Sequence, residues 1–196
     1  MDEKELIFDW NAIDYEISRN SSKHPHELWF DDETLRDGLQ SPSAINPTIG
    51  QKIELIDYME KLGIQKVDLG LPGAGPHHID HIDSMLKHMG DRDYSLRPGC
   101  AVRTLVSDIE PLVDLQSKHE RQIQASAFLG TSPIRQYTEG WTMERIMSTA
   151  ESAVSFAIAN DIPVMFVTED TTRSKPEDIK KAVSYTHLTL PTNHPV

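Results

Sequence analysis

From Glu27 onward, short apolar runs alternate with longer segments of helical periodicity, and the alternation repeats five times. The runs at 28–30, 64–71, 96–103, 123–129 and 163–167 are short and apolar enough to be buried strands. Between the first two, Ile49, Ile53, Leu55, Ile56 and Met59 recur at helical spacing. Thr48 can cap that helix and Gly63 can end it. Further helices are expected over 77–89, 108–118 and 142–159, and Pro176 is placed to open another. Each strand is therefore followed by enough chain for a crossover helix, the connection that parallel strands require. An open doubly wound sheet and a barrel both satisfy this pattern. The first class commonly carries a G-x-G-x-x-G phosphate loop after a strand, and no run here is followed by one. Residues 70–75 (GLPGAG) have the wrong spacing and contain a proline.

The segment Asp32-Glu33-Thr34-Leu35-Arg36-Asp37-Gly38-Leu39-Gln40 follows the first run. It puts a cation beside a carboxylate where a parallel strand opens into a loop, the place where α/β enzymes set their chemistry. Arg36 can neutralise an oxyanion or grip a carboxylate, and Asp37 can ligate a hard divalent ion. The string resembles the first-strand signature (D-x-T-L-R-D-G-x-Q) of the metal-dependent Claisen condensation and lyase enzymes. That family includes 2-isopropylmalate synthase, homocitrate synthase, citramalate synthase and hydroxymethylglutaryl-CoA lyase. Four further segments match in order: 67–72 (VDLGLP), 99–103 (GCAVR), 127–133 (AFLGTSP) and 168–174 (TEDTTRS). The resemblance runs from about 27 to about 180, and ordered matches carry far less false-positive risk than a single motif.

The resemblance implies an α/β chain folded as an incomplete TIM (β/α)8 barrel, about its first five βα units. A whole barrel typically needs about 250 residues. It implies condensation of acetyl-CoA, or another acyl-CoA, with a 2-oxo acid, as in the 2-isopropylmalate synthase of leucine biosynthesis. Lyase cleavage is the alternative within the family. It implies a divalent metal (Mg2+, Mn2+ or Zn2+) with Asp37 as the strand-1 ligand, and a homodimer when full length. Arg36 matches the electrostatic partner of the keto oxygen, and Glu169 a group that orients a catalytic residue or relays a proton. Gln40, Asp68, Arg103, Thr171, Thr172 and Arg173 match substrate-binding positions. Asp68 stands where the family usually has Glu, one methylene longer. Leu39 stands where many synthases carry Glu, whereas Ser41-Pro42 and the GLPGAGP segment lean toward the synthases. The family's His-x-His metal pair on a late strand has no counterpart after strand 5. The one such pattern here, His24-Pro25-His26, precedes strand 1. The fragment alone is therefore expected to be inactive, and a non-catalytic paralogue that binds a full-length subunit is the reading from another class.

Three further expectations concern organisation. Residues 1–26 read as a polar leader, 27–182 as the partial catalytic barrel, and 183–196 as a non-native tail. In that tail VSYTHLTLPT resembles the translation of a sequencing adaptor. A net charge of −12 argues against nucleic acid and anionic membranes as partners. A single cysteine, Cys100, excludes an internal disulfide and suits the cytoplasm. Cys100 reads as a small buried hydrophobe, and Tyr137 and Trp141 as packing or loop anchors. Arg135 reads as an exposed loop charge. His77, His78 and His81 read as a solvated helix face and not as a metal site, because such histidine spacings match by chance too often.

Overall fold

The computed structural model of the chain describes Leu6 and residues 29–188. The rest of the expected leader, Leu28, the His24-Pro25-His26 pattern and the end of the tail lie outside the described residues. In chain order the elements are β1 (Asp31–Asp32), α1 (Ile49–Leu62), β2 (Lys66–Asp68), α2 (Pro76–Asp91), β3 (Arg97–Arg103), α3 (Val106–His119), β4 (Gln124–Gly130), α4 (Pro133–Glu139), α5 (Met143–Ala159), β5 (Val164–Glu169) and α6 (Pro176–Leu188). All four strand pairings are parallel, and the spatial order is the sequence order, β1-β2-β3-β4-β5. A doubly wound sheet reverses its strand order at a switch point, and this one never does. The architecture is an incomplete TIM barrel of about five βα units.

Local chemistry explains the best-placed boundaries. Thr48 accepts from the Gln51 amide while the Gln51 side chain accepts from the Thr48 amide, so two orphan donors of α1 are satisfied reciprocally. Gly63 closes α1 in the left-handed region (φ 74°). Two expectations need correction. The first strand lies at Asp31–Asp32 and not at 28–30. Trp29 and Phe30 are exposed, the Trp29 ring stacking under the Arg97 guanidinium, although the Phe30 carbonyl still accepts from the Lys66 amide. An edge strand has a neighbour on one side only, so apolar character there does not guarantee burial. The second correction is α4. It is a short polar helix with Ser132 as its cap and Gly140 (φ 62°) as its stop. Its residues carry no apolar stripe, so periodicity could not reveal it, and Arg135 is a helical residue and not a loop one. The last helix, α6, continues to Leu188, inside the stretch expected to be tail.

Strand periodicity divides the sheet into two faces. Val67, Cys100, Val102, Ala125 and Ala127 face the helices and join Ile56, Met85, Leu86, Ile109 and Leu112 in one buried core. Cys100 is fully buried there, as a small hydrophobe should be. Asp68, Ala101, Arg103, Ser126, Phe128, Met165, Val167 and Glu169 lie on the opposite, barrel-facing side by register. Among the described residues no helix is long and apolar enough to cross a membrane.

The turn after β2 depends on one glycine. A Cβ on Gly73 would lie 2.4 Å from Oδ2 of Asp108, which is buried and bonded to Arg103 and so cannot step aside cheaply. Gly73→Ala is expected to lower the urea midpoint by the equivalent of about 1–3 kcal/mol, the usual range for forcing one methyl into packed structure. An unchanged midpoint would mean that the turn slides away from α3 without cost.

Candidate active site

Asp68, Arg103 and Glu169 are the last residues of β2, β3 and β5, so parallel pairing brings all three to the same carboxyl end of the sheet. Arg36 reaches that end from the turn after β1. Its guanidinium is surrounded by carboxylates. Glu33 accepts from Nε at 2.8 Å and from Nη2, Asp37 accepts from Nη1 at 3.3 Å, and Asp68 Oδ2 lies 3.6 Å from Nε. Glu33 was not singled out in the sequence. The signal was available, because it precedes Arg36 by three residues within a turn and can fold back on it.

Asp68 is the unusual group. It is 3% exposed, and its Oδ1 accepts from the amides of Gly70 (2.9 Å) and Ala101 (3.3 Å). Among the described residues its Oδ2 has no hydrogen-bond partner. Burial pushes this carboxyl up to about 7, against the opposing pull of the backbone donors and Arg36, with Glu33 adding to the rise. A carboxyl that titrates near neutrality, 3.6 Å from a fixed cation, can take or return a proton at physiological pH.

A cavity of about 280 Å³ opens on the barrel-facing side, and Arg36, Gln40, Glu33 and Glu169 line it together with Phe128 and Met165. Arg135 of α4 stands 3.6 Å from Glu169. The structure thus brings Arg36, Asp37, Gln40, Asp68 and Glu169 into one neighbourhood. Arg103 is differently engaged. Its Nε and Nη2 each donate to the buried Asp108 at 2.7 Å, and roughly half of its side chain stays exposed. Thr171, Thr172 and Arg173 form an exposed turn beyond β5. There Thr171 bonds Thr168 and Arg173 pairs with Asp170 at 3.1 Å. Tyr137 is exposed, and Trp141 packs beside Leu129 under the Arg145 guanidinium.

Among the described residues no three His, Cys, Asp or Glu side chains converge closely enough to hold a metal ion. Asp37 is exposed and Asp68 is turned toward Arg36, so the described residues alone do not make a divalent-ion site.

The family model for HMGL-like proteins matches residues 27–188. The chain belongs to the HMGL-like family. The 2-isopropylmalate synthase of Streptococcus gallolyticus is 33% identical over 147 residues, which cover 74% of this chain and 27% of that enzyme. The 2-isopropylmalate synthase of Lactococcus lactis is 28% identical over 158 residues, 80% of this chain and 30% of the enzyme. The chain therefore spans less than a third of the length of these HMGL-like relatives. The crystal structure of the HMG-CoA lyase from Brucella melitensis superposes with a TM-score of 0.61 at 11% identity, covering 84% of this chain and 58% of that one, a likeness of fold.

Proposed function

We propose that this chain forms part of the active site of an acyl-CoA-dependent enzyme that condenses acetyl-CoA with a 2-oxo acid, as a 2-isopropylmalate synthase does. The observation that carries the reading is the meeting of Arg36, Asp68, Gln40 and Glu169 at the carboxyl ends of the strands, in a chain whose relatives include 2-isopropylmalate synthases. The thioester methyl must lose a weakly acidic proton, and negative charge must develop on the keto oxygen of the acceptor. Arg36, already fixed by Glu33 and Asp37, stabilises that charge without having to reorganise. Asp68 is the group whose protonation equilibrium suits proton transfer near pH 7. Gln40 donates to the bound acceptor, and Glu169, with Arg135 beside it, orients groups at the far wall of the cavity.

Arg103, held by Asp108, offers its remaining guanidinium N–H groups to a substrate carboxylate, and Thr171, Thr172 and Arg173 close the mouth beyond β5. Mg2+, Mn2+ or Zn2+ belongs to the proposal only with ligands from outside the described residues, Asp37 being this chain's contribution. A homodimer, a cytoplasmic location, the leucine pathway and a non-native tail from residue 183 are parts of the same proposal. The lyase direction uses the same groups, since cleavage is condensation run backwards.

The test is release of free CoA from acetyl-CoA with 2-oxoisovalerate, set beside cleavage of hydroxymethylglutaryl-CoA, each with Mg2+, Mn2+ and Zn2+ in turn. It is run on this chain and on a protein carrying the three further βα units. The longer protein is expected to release CoA and this chain is not. Cleavage without condensation would select the lyase, and no turnover of either substrate would sink the enzyme reading. The chain alone is also expected to self-associate as concentration rises in size-exclusion chromatography. Among the described residues β1 and β5 each pair on one side only, and every residue of β5 is only half-buried. A monomer at all concentrations would show that those edges are covered.

A further inference from the structure

A second cavity, of about 270 Å³, adjoins the first and shares Arg36 and Gln40 with it. Its far wall is built from Lys52 of α1 and His77, His78 and His81 of α2. Among the described residues no carboxylate lines it, although the chain carries a net charge of −12. Lys52 is the informative residue. It is 8% exposed, it lines the cavity, and among the described residues no hydrogen bond or ion pair meets its ammonium. Its stem is buried while the unpaired ammonium opens into the cavity, where it is placed to meet an anion. The imidazoles stand where they can share that anion. The His77 and His81 rings are 4.1 Å apart between centroids, one helical turn from each other, and the His77 and His78 rings are 6.1 Å apart. They sit at the start of α2, a helix whose first turn has no side-chain cap and whose dipole favours negative charge.

We infer that Lys52, His77, His78 and His81 form a phosphate-binding subsite that opens onto the candidate active site through Arg36 and Gln40. Charge settles against a metal at this place. Lys52 would repel a cation, and among the described residues no histidine cluster has metal-binding geometry. Burial, followed by the Lys52 charge, lowers the pKa of His78 and His81, so their rings serve as neutral N–H donors until an anion arrives. Among the described residues the one carboxylate acting on His81 is Asp80, which is exposed on α2. The subsite does not depend on which reaction the neighbouring cavity performs, so it can stand or fall separately from the condensation reading.

Carbethoxylation of histidines, mapped by mass spectrometry at micromolar protein, reads the site directly. His88 and His119 are internal references, because each is bonded to a carboxylate elsewhere, Asp57 at 2.6 Å and Asp83 at 2.8 Å. Inorganic phosphate is expected to protect His77, His78 and His81 with a half-point on the order of 1 mM, leaving the references unchanged. In Lys52→Met the half-point should rise roughly tenfold to a hundredfold, the worth of one charge-assisted hydrogen bond, and Lys52→Arg should restore it. If the phosphate is one carried on a substrate, free CoA should protect the same histidines at lower concentration than inorganic phosphate. If the site takes the free ion, CoA should not outcompete it. Both results support the subsite and tell its source. Absence of protection by either ligand, or equal protection in Lys52→Met, would overturn it. Should Lys52→Met unfold, as raised reactivity of His88 and His119 would show, His81→Gln gives the same reading from the opposite wall.

Discussion

Arg36→Lys is expected to lower turnover by roughly two to three orders of magnitude in a protein that also carries the downstream strands, while the KM for the 2-oxo acid changes little. The guanidinium is used as a plane. Nε and Nη2 meet Glu33, Nη1 meets Asp37, and Nε also faces Asp68. An ammonium is a point charge on a flexible stem and cannot hold those directions together while presenting a donor to a developing oxyanion. Loss of one transition-state donor costs about 3–4 kcal/mol in comparable sites. The loss should fall on the chemical step, because the charge that Arg36 meets is absent from the bound ground state. Steady-state kinetics decide between the roles. Near-wild-type turnover would remove Arg36 from the mechanism and leave it a structural clasp for the β1 turn, and a rise in KM alone would make it a binding residue.

The five βα units were legible because a short apolar run marks or adjoins each strand and the longer helices repeat at their own period. Val67, Val102 and Ala127 on the strands, and Ile56 and Met85 on the helices, are buried as that pattern requires. The pattern fails where burial does not decide structure. Trp29 and Phe30 are apolar but sit at an edge, and α4 is a helix made by its cap and stop with no apolar face. The site was legible as a set of positions, because Asp68, Arg103 and Glu169 end strands and parallel strands end together. Their states were not legible. Nothing in the sequence tells that Arg103 bends to Asp108, five residues on, or that Gly73 is required so that Asp108 can lie where it does. His77, His78 and His81 read as a solvated face, and His77 and His78 are indeed exposed. Their meaning comes from Lys52, which lies on another helix and is close to them only in the folded chain.

Asp68→Asn is expected to raise the melting temperature at pH 8, and the gain should shrink to nothing as the pH falls toward 4. The direction follows from the shift. The carboxyl titrates at about 7 in the folded chain against an ordinary value of 3.8. A group whose folded pKa lies above its unfolded one contributes stability that is fully present below the unfolded pKa and lost as pH rises through the folded one. Asp68 therefore costs nothing below about pH 4 and most above about pH 7. Three pH units at 1.36 kcal/mol each set a ceiling of about 4 kcal/mol. The observed gain should be smaller, about 1–3 kcal/mol, because the new amide would face Arg36 Nε donor to donor while the old charge attracted it. The Asn oxygen still accepts from Gly70 and Ala101, and Arg36 keeps Glu33 and Asp37, but the new Nδ2 takes the place of Oδ2 and finds no acceptor among the described residues, which trims the gain further. Other carboxylates run the opposite way. Burial raises Asp57 and Glu60, but hydrogen bonds from Tyr94, His88, Ser95 and Leu96 outweigh it, while Lys118 and His119 hold Asp83 low. These lose stability as pH falls, equally in both proteins, so the difference between mutant and wild type isolates Asp68. Activity should move against stability, since an amide cannot accept the proton that a neutral-range carboxyl can. A gain independent of pH would place the cause in packing. No gain at pH 8 would mean that the buried carboxylate is compensated in the folded chain, and its candidacy as the proton-transfer group would lapse with it.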